Sequence, residues 1–341
     1  MAVAVAVVAG AVLAALVHQW PEGGPARALS AAATPSVGPS ATRSPKAWPA
    51  APAERSTGVA PGEAADLAEF ADIDPITPAS RARLRAAVTA SVRRAAALGI
   101  TQGVLVADRH TGQTIVSIGA DTPVPAVSVA KLLFAVDVLD TAGGADRLAP
   151  ATLGLLYRMI ATSDDALASA FYSSGGGNQI VERVAARYHL RDTGPSPEPQ
   201  YWGDIRISAA DMASLLAQML ADPRTGAFLG SAMLSSTAIA RDGYDQEFGM
   251  NAVDGAGSKQ GWGCCLGGVV SIHSIGFTAD EIVAVLSTAA PDAPGLNVPE
   301  VSAFADDPGF LASVAASTAT ARAAIIPRPA LLPVRPIRPA R

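Results

Sequence analysis

Apolar and polar positions change their period several times along the chain, and each change marks an element. Thr77 followed by Pro78 offers an N-cap with proline in the first helical turn, and ASRARLRAAVTASVRRAAAL then repeats apolar residues at helical spacing up to a stop at Gly99. The period then drops to two. GVLVAD at 103–108 and QTIVSIG at 113–119 flank Arg109, His110, Thr111 and Gly112, which predicts a β-hairpin with a short turn. From Ser128 to about Leu220 nearly every segment returns to helical spacing, one of them opening with Ser208 and Asp211 in capping-box positions. Beyond that block GSKQGWGCCL, GVVSIHSIGF and EIVAVLST read as three successive strands, and a last helix is expected over 308–322. Two β segments near the start and three near the end predict one antiparallel sheet built from both ends of the domain. It is flanked by helices and interrupted by an inserted all-helical lobe, an α/β (α+β) architecture.

Composition sets the outer limits of that domain. Eight of the 26 prolines fall between 21 and 62 and five between 327 and 341, so both stretches read as extended segments with too little apolar surface to order themselves. The folded unit is therefore expected over 63–326, after a linker at 21–62 and before a tail at 327–341 whose Arg328, Arg335, Arg338 and Arg341 face no acid. Residues 1–17, MAVAVAVVAGAVLAALV, form an unbroken apolar run that stops at His18. This predicts an export or membrane-anchor segment within 1–20, and hence an exported or cell-envelope protein. A net charge of −5 with no basic face argues against nucleic acid as a partner. Two cysteines and four scattered histidines form no ligand cluster, so no metal or other cofactor is expected, and nothing in the pattern calls for more than a monomer.

Lysine carries the chemical signal because it is so rare. All but three of the 25 basic residues are arginine, and the exceptions are Lys46 in the linker, Lys131 and Lys259. A desolvated lysine gives up its proton near neutral pH and arginine does not, so the two domain lysines are candidates for acid/base work. Lys131 closes Ser128-Val129-Ala130-Lys131, and on a helix positions i and i+3 share a face, which brings an amine to a hydroxyl. The helix from Ser128 to about Asp140 is roughly 18 Å long, and after the Gly143-Gly144 turn a second helix from Pro150 to Thr162 retraces that length. Ser163 thereby returns to the end where Ser128 sits. Lys259-Gln260-Gly261 lies on a predicted edge or near-edge strand, where glycine permits close approach of a substrate backbone. A nucleophile, a base, a relay hydroxyl and a cation suffice for acyl transfer.

With these residues in order, the sequence resembles the serine penicillin-recognising enzymes, the class A β-lactamases and related D-alanyl-D-alanine peptidases. Their Ser-x-x-Lys, Ser-Asp-Asn and Lys-Thr-Gly motifs correspond to SVAK at 128, SDD at 163 and KQG at 259, within a resemblance that covers about 70–325. It implies a β-lactamase/transpeptidase-like fold in which Ser128 is acylated, Lys131 is its base and Ser163 shuttles the proton to the leaving nitrogen. Lys259 would contact that shuttle and the substrate carboxylate, and the backbone N–H groups of Ser128 and Trp262 would bind the oxyanion. The implied partner is a β-lactam or a peptidoglycan stem peptide.

This chain also departs from the pattern. Asp165 stands where the family has Asn, exchanging a donor amide for a carboxylate that repels anions, and Gln260 replaces a hydroxyl residue. Asp165, Gln260, Gly261 and Trp262 remain the expected substrate-binding positions. The candidate for the deacylating glutamate is Glu198 in PSPEPQYWGD, although Trp202 occupies the position of the accompanying asparagine. Without a base for water the acyl-enzyme would persist, and a catalytically weak or inactive envelope protein that binds peptidoglycan or another partner is the alternative reading. Adjacent Cys264 and Cys265 are expected as two buried thiols on opposite faces of a strand, His273 as a hydrogen-bonded strand residue, and Trp202 and Trp262 as cleft or core.

Overall fold

A computed structural model describes residues 78–293 together with 314 and 316–318. The expected export segment, linker and basic tail lie outside the described residues, as do 63–77 and most of the predicted last helix, of which 314 and 316–318 are helical. Among the described residues no helix is long and apolar enough to cross a membrane.

Helix α1 (Pro78–Ala97) leads into the hairpin of β1 (Ile100–Asp108) and β2 (Thr114–Ile118), and the chain later returns in β5 (Gly257–Gly263), β6 (Val270–Phe277) and β7 (Glu281–Ala289). These five form an antiparallel sheet in the order β2-β1-β7-β6-β5, with β5 at an edge. Strand β1 starts three residues before the predicted segment because all nine of its residues, Ile100 to Asp108, pair with β7. The chain's first and last β segments are thus joined at the middle of the sheet.

Side chains alternate across this sheet with period two. Ile100, Val104, Val106, Val283 and Val285 pack on one side with Leu84 and Val88 of α1 and with Val314. Leu105, Ala107, Ile282, Ala284 and Leu286 pack on the other side beneath the helical lobe. Each fully buried Val or Leu contributes roughly 1.5–3 kcal/mol relative to exposure, so the two faces together form the main source of stability.

The lobe contains α2 (Lys131–Ala142), α3 (Pro150–Ala161), α4 (Asp165–Ser174), α5 (Asn178–Tyr188), α6 (Ala209–Ala221) and α7 (Gly226–Leu234). Gly143 ends α2 in the left-handed region at φ 87°, its N–H bonded to the Asp140 carbonyl, and Pro150 opens the antiparallel return. Ser208 caps α6 by accepting from the Asp211 N–H at 3.1 Å, as the capping-box spacing predicts. Two expectations need correction. The block is not helical throughout, because residues 189–208 carry a connecting loop that contains the two-residue strand β4 (Arg206–Ile207), paired with β3 (Val124–Pro125). Two residues are too few to register as a period, yet this ladder holds the approach to Ser128. Nor does Ser128 begin an α-helix: it lies in the 3₁₀ turn Val127–Ala130 that precedes α2.

Candidate active site

The turn that carries Ser128 is seated against the edge strand. Val127 has φ +43°, a left-handed conformation that costs a β-branched residue about 1–3 kcal/mol and persists only where its surroundings enforce it. Gly261 explains how. A Cβ there would lie 2.8 Å from Val127 Cγ2 and 3.2 Å from the Ala126 carbonyl, so the missing side chain admits the turn. The close approach expected at Gly261 is thus taken up by the protein's own Val127–Ala130 turn. On the far side, His273 Nε2 donates to the Pro125 carbonyl at 2.8 Å while its Nδ1 accepts from the Ser287 N–H at 3.1 Å. Burial pushes this imidazole down to about 4, so it is neutral and serves as a fixed tie between the sheet and β3.

Lys131 is completely buried as the first residue of α2, and its Nζ reaches three side chains. It donates to Ser128 Oγ at 2.6 Å, to Ser163 Oγ at 3.2 Å and to Asp165 Oδ1 at 2.6 Å. Lys259 Nζ, projecting from the same face of β5 as Gly261, donates to Ser163 Oγ at 2.9 Å and to the Gln260 carbonyl at 2.8 Å. Four residues from three separate stretches of sequence therefore form one contact chain, Ser128 to Lys131 to Ser163 to Lys259. Ser163 is free to take part because its neighbour does the capping: Asp164 accepts from the Leu167 N–H at 3.1 Å, while Ser163 sits at φ +55°.

The electrostatics of the chain are set by burial. Desolvation lowers the Lys131 ammonium below the ordinary lysine value, opposed chiefly by the charge and hydrogen bond of Asp165 and less by Asp242 and Asp164. Lys259 is held well below that value, by burial first and by the charge of Lys131 second, with Asp165 and Asp242 opposing. Two amines sharing one hydroxyl are coupled, and burial together with their mutual repulsion disfavours charging both. The arrangement can accept a proton from Ser128 and pass it along Ser163.

Other predicted residues fall elsewhere. Gln260 alternates to the opposite face of β5, where its Nε2 donates to the Phe248 carbonyl and its Oε1 is buried without a partner among the described residues, so its side chain is not a substrate contact. Glu198 is exposed, and its carboxylate accepts from Gln200 Nε2 at 3.0 Å. It does not join the cluster, because the short loop turns it outward while Trp202 turns in. The Trp202 ring lies 4.9 Å from Lys131 Nζ and its Nε1 donates to Ser169 Oγ at 3.0 Å. Trp262 stacks on Tyr244 with centroids 4.4 Å apart. Cys264 and Cys265 follow the end of β5 and are bonded to each other, with Cys265 exposed, in place of two buried thiols on a strand. Sequence reasoning also missed Asp242, whose Oδ2 accepts from Trp262 Nε1 at 3.3 Å. Its loop is tied beside Ser163 by the Arg241 N–H, which donates to the Thr162 carbonyl at 2.7 Å. Asp242-Gly243 marks a turn there, but nothing in ARDGYDQE ties that turn to the site. Among the described residues no group of three or more His, Cys, Asp or Glu is placed to hold a metal ion.

No protein-family profile matches the chain. Over 183 residues it is 40% identical to a protein named "Putative lipoprotein LppW" in Mycobacterium bovis and Mycobacterium tuberculosis; the match covers 51% of this chain and 57% of the relative. The chain thus spans little more than half the length of those curated relatives. Among solved structures it is similar to a class A β-lactamase from Bacteroides cellulosilyticus, with a TM-score of 0.53 and 14% identity over 71% of this chain and 99% of that one. It is also similar to a PBP-A variant solved as its acyl-enzyme complex with penicillin G, at 0.52 and 17% over 71% and 95%. At such identities the likeness is one of architecture. The chain has the β-lactamase/transpeptidase-like fold.

Proposed function

We propose that the protein is an exported serine acyl-transfer hydrolase of class A β-lactamase-like type, forming an acyl-enzyme with β-lactams or D-alanyl cell-wall peptides. The observation that carries this reading is the unbroken contact chain from Ser128 Oγ through Lys131 Nζ and Ser163 Oγ to Lys259 Nζ. In the forward step Lys131, once neutral, takes the Ser128 proton as Oγ bonds to the substrate carbonyl carbon. The C–N bond then breaks, and the proton reaches the departing nitrogen through Ser163, with Lys259 supporting that hydroxyl. Backbone N–H groups of Ser128 and Trp262 are the assigned oxyanion donors. Glu198, the candidate base for water, does not join the cluster, so the ester is expected to decay slowly.

An envelope location is supported by the apolar run at 1–17 and by the lipoprotein name of the 40%-identical relatives. The domain is assigned to 63–326. The rival reading is a non-catalytic envelope protein that binds peptidoglycan or a partner. It draws on the Asp165 carboxylate, which at 2.6 Å favours the protonated form of Lys131. Intact mass of the protein after incubation with penicillins and cephalosporins separates the two. A mass increase that is lost in Ser128→Ala supports the hydrolase; reversible binding with no adduct, indifferent to Ser128→Ala, supports the binder.

A further inference from the structure

The charged groups around Ser128 differ in exposure according to their sign. Lys131 and Lys259 are 0% and 1% exposed, and Ser128 is 6% exposed, so both ammonium groups are withdrawn behind the nucleophile. The carboxylates are placed the other way. The Asp165 side chain is 61% exposed although Oδ1 touches Lys131, and its Oδ2 has no partner among the described residues. Asp242 is exposed on the loop tied to Thr162, and it is fixed by two neutral donors, the Tyr244 N–H to Oδ1 at 3.0 Å and Trp262 Nε1 to Oδ2 at 3.3 Å. Neutral donors orient a carboxylate without cancelling its charge. Arg241, although adjacent in sequence, makes no ion pair with Asp242 among the described residues, and the charges of Asp165 and Asp242 both oppose the lowering of Lys259. In the Lys131–Asp165 pair the positive member is inside and the negative one outward, and Asp242 adds a second exposed carboxylate, whereas in the Arg158–Asp164 pair beside Ser163 the arginine is exposed and the carboxylate buried.

We propose that this cleft selects acyl donors carrying an ammonium or guanidinium group beside the reacting carbonyl, with Asp165 and Asp242 as its specificity-determining residues. The inference rests on the reading of Ser128 as nucleophile and narrows its substrate class. A donor with a carboxylate in that place meets two like charges before it meets a buried ammonium, whereas a cationic donor is drawn in by both and finds the Tyr244–Trp262 stack beside Asp242. The covalent step is unchanged: Ser128 Oγ bonds to the carbonyl carbon, its proton passes to the lysine–serine chain, and the leaving group departs with the bonding electron pair and collects a proton. Water later returns the acyl group as a free acid. Among β-lactams and cell-wall peptides, those with a free amine near the reacting bond become the favoured donors, and those with only a carboxylate there react more slowly.

The test uses the full chain and three thioesters with one common thiol leaving group and acyl chains of equal length ending in an ammonium, a neutral amide or a carboxylate. The readout is kcat/KM for thiol release, with acyl-Ser128 confirmed by intact mass. The expected order is ammonium, amide, carboxylate, with about tenfold or more between the extremes at low ionic strength and a smaller spread in high salt. Asp242→Asn and Asp165→Asn each narrow the ammonium-to-amide ratio, and this internal ratio is insensitive to any common loss of rate or of folded protein. Equal rates for the three donors, or a ratio that neither variant changes, would overturn the charge assignment while leaving Ser128 as nucleophile. Failure of all three to acylate a folded chain would instead overturn the nucleophile reading on which the proposal stands.

Discussion

Two buried polar networks lie on opposite faces of the same sheet, and they differ in one property. On the back, Gln102 Nε2 donates to Ser287 Oγ at 2.9 Å, Ser317 Oγ donates to Gln102 Oε1 at 2.7 Å, and Ser91 and Ser317 share a hydrogen bond at 3.1 Å. On the front, Ser128, Lys131, Ser163 and Lys259 form a chain of comparable length and burial. Those back-face bonds join hydroxyls and an amide, which do not titrate at ordinary pH, and they fasten α1 and the helical residues 316–318 to the sheet. The front network contains two amines whose charged forms burial opposes, and it meets solvent through Asp165. Burial of polar groups does not itself separate function from scaffolding. Capacity to exchange a proton does.

Substitutions can sharpen that contrast, starting with the largest effect. Ser128→Ala should abolish covalent capture of any acyl donor with little change in denaturation midpoint. Removing an amine should come next: Lys131→Ala is expected to slow acylation by about 10²–10⁴-fold, and Lys131→Arg should fail to restore it because guanidinium keeps its proton. A stopped-flow acylation rate in Lys131→Arg near that of the wild type would remove Lys131 as base.

Stability supplies the intermediate effects. His273 has a folded value of about 4, below the ordinary 6.5, so the folded state holds fewer protons than the unfolded chain between those values. Its contribution is full above pH 6.5 and lost as pH falls through about 4, at most about 3 kcal/mol in total. Urea denaturation from pH 7 to pH 4 should show that slope, and His273→Gln should flatten it; parallel curves for the two proteins would show that His273 is not the titrating tie. On the back face, Gln102→Leu should cost about 1–3 kcal/mol by leaving hydroxyls unpaired while the acylation rate of the folded protein is unchanged. Smallest of all, Glu198→Ala should leave both stability and deacylation where they were, measured as decay of the adduct mass.

The two networks were not equally legible in the sequence. The scarcity of lysine and the order of SVAK, SDD and KQG pointed to the front, and the length of two antiparallel helices was enough to bring Ser163 back to Ser128. The strands were visible because their apolar residues alternate. What could not be read was set by single side-chain directions and short pairings. Gln260 sits one residue from Lys259 and so points the opposite way. Glu198 and Trp202 share one loop, and only its folded path decides which faces Lys131. Strands β3 and β4 are too short to leave a period, and Asp242 gains its place from a backbone bond between Arg241 and Thr162. The back network joins residues 226 positions apart through hydroxyls that carry no motif.

The most direct measurement is the intact mass of the full chain incubated with a panel of β-lactams and thioesters, followed over time beside Ser128→Ala. A stoichiometric adduct on the wild type that decays slowly and is missing from Ser128→Ala is the predicted result. A correctly folded wild type that gains no mass from any donor would contradict the assignment of the front network to acyl transfer.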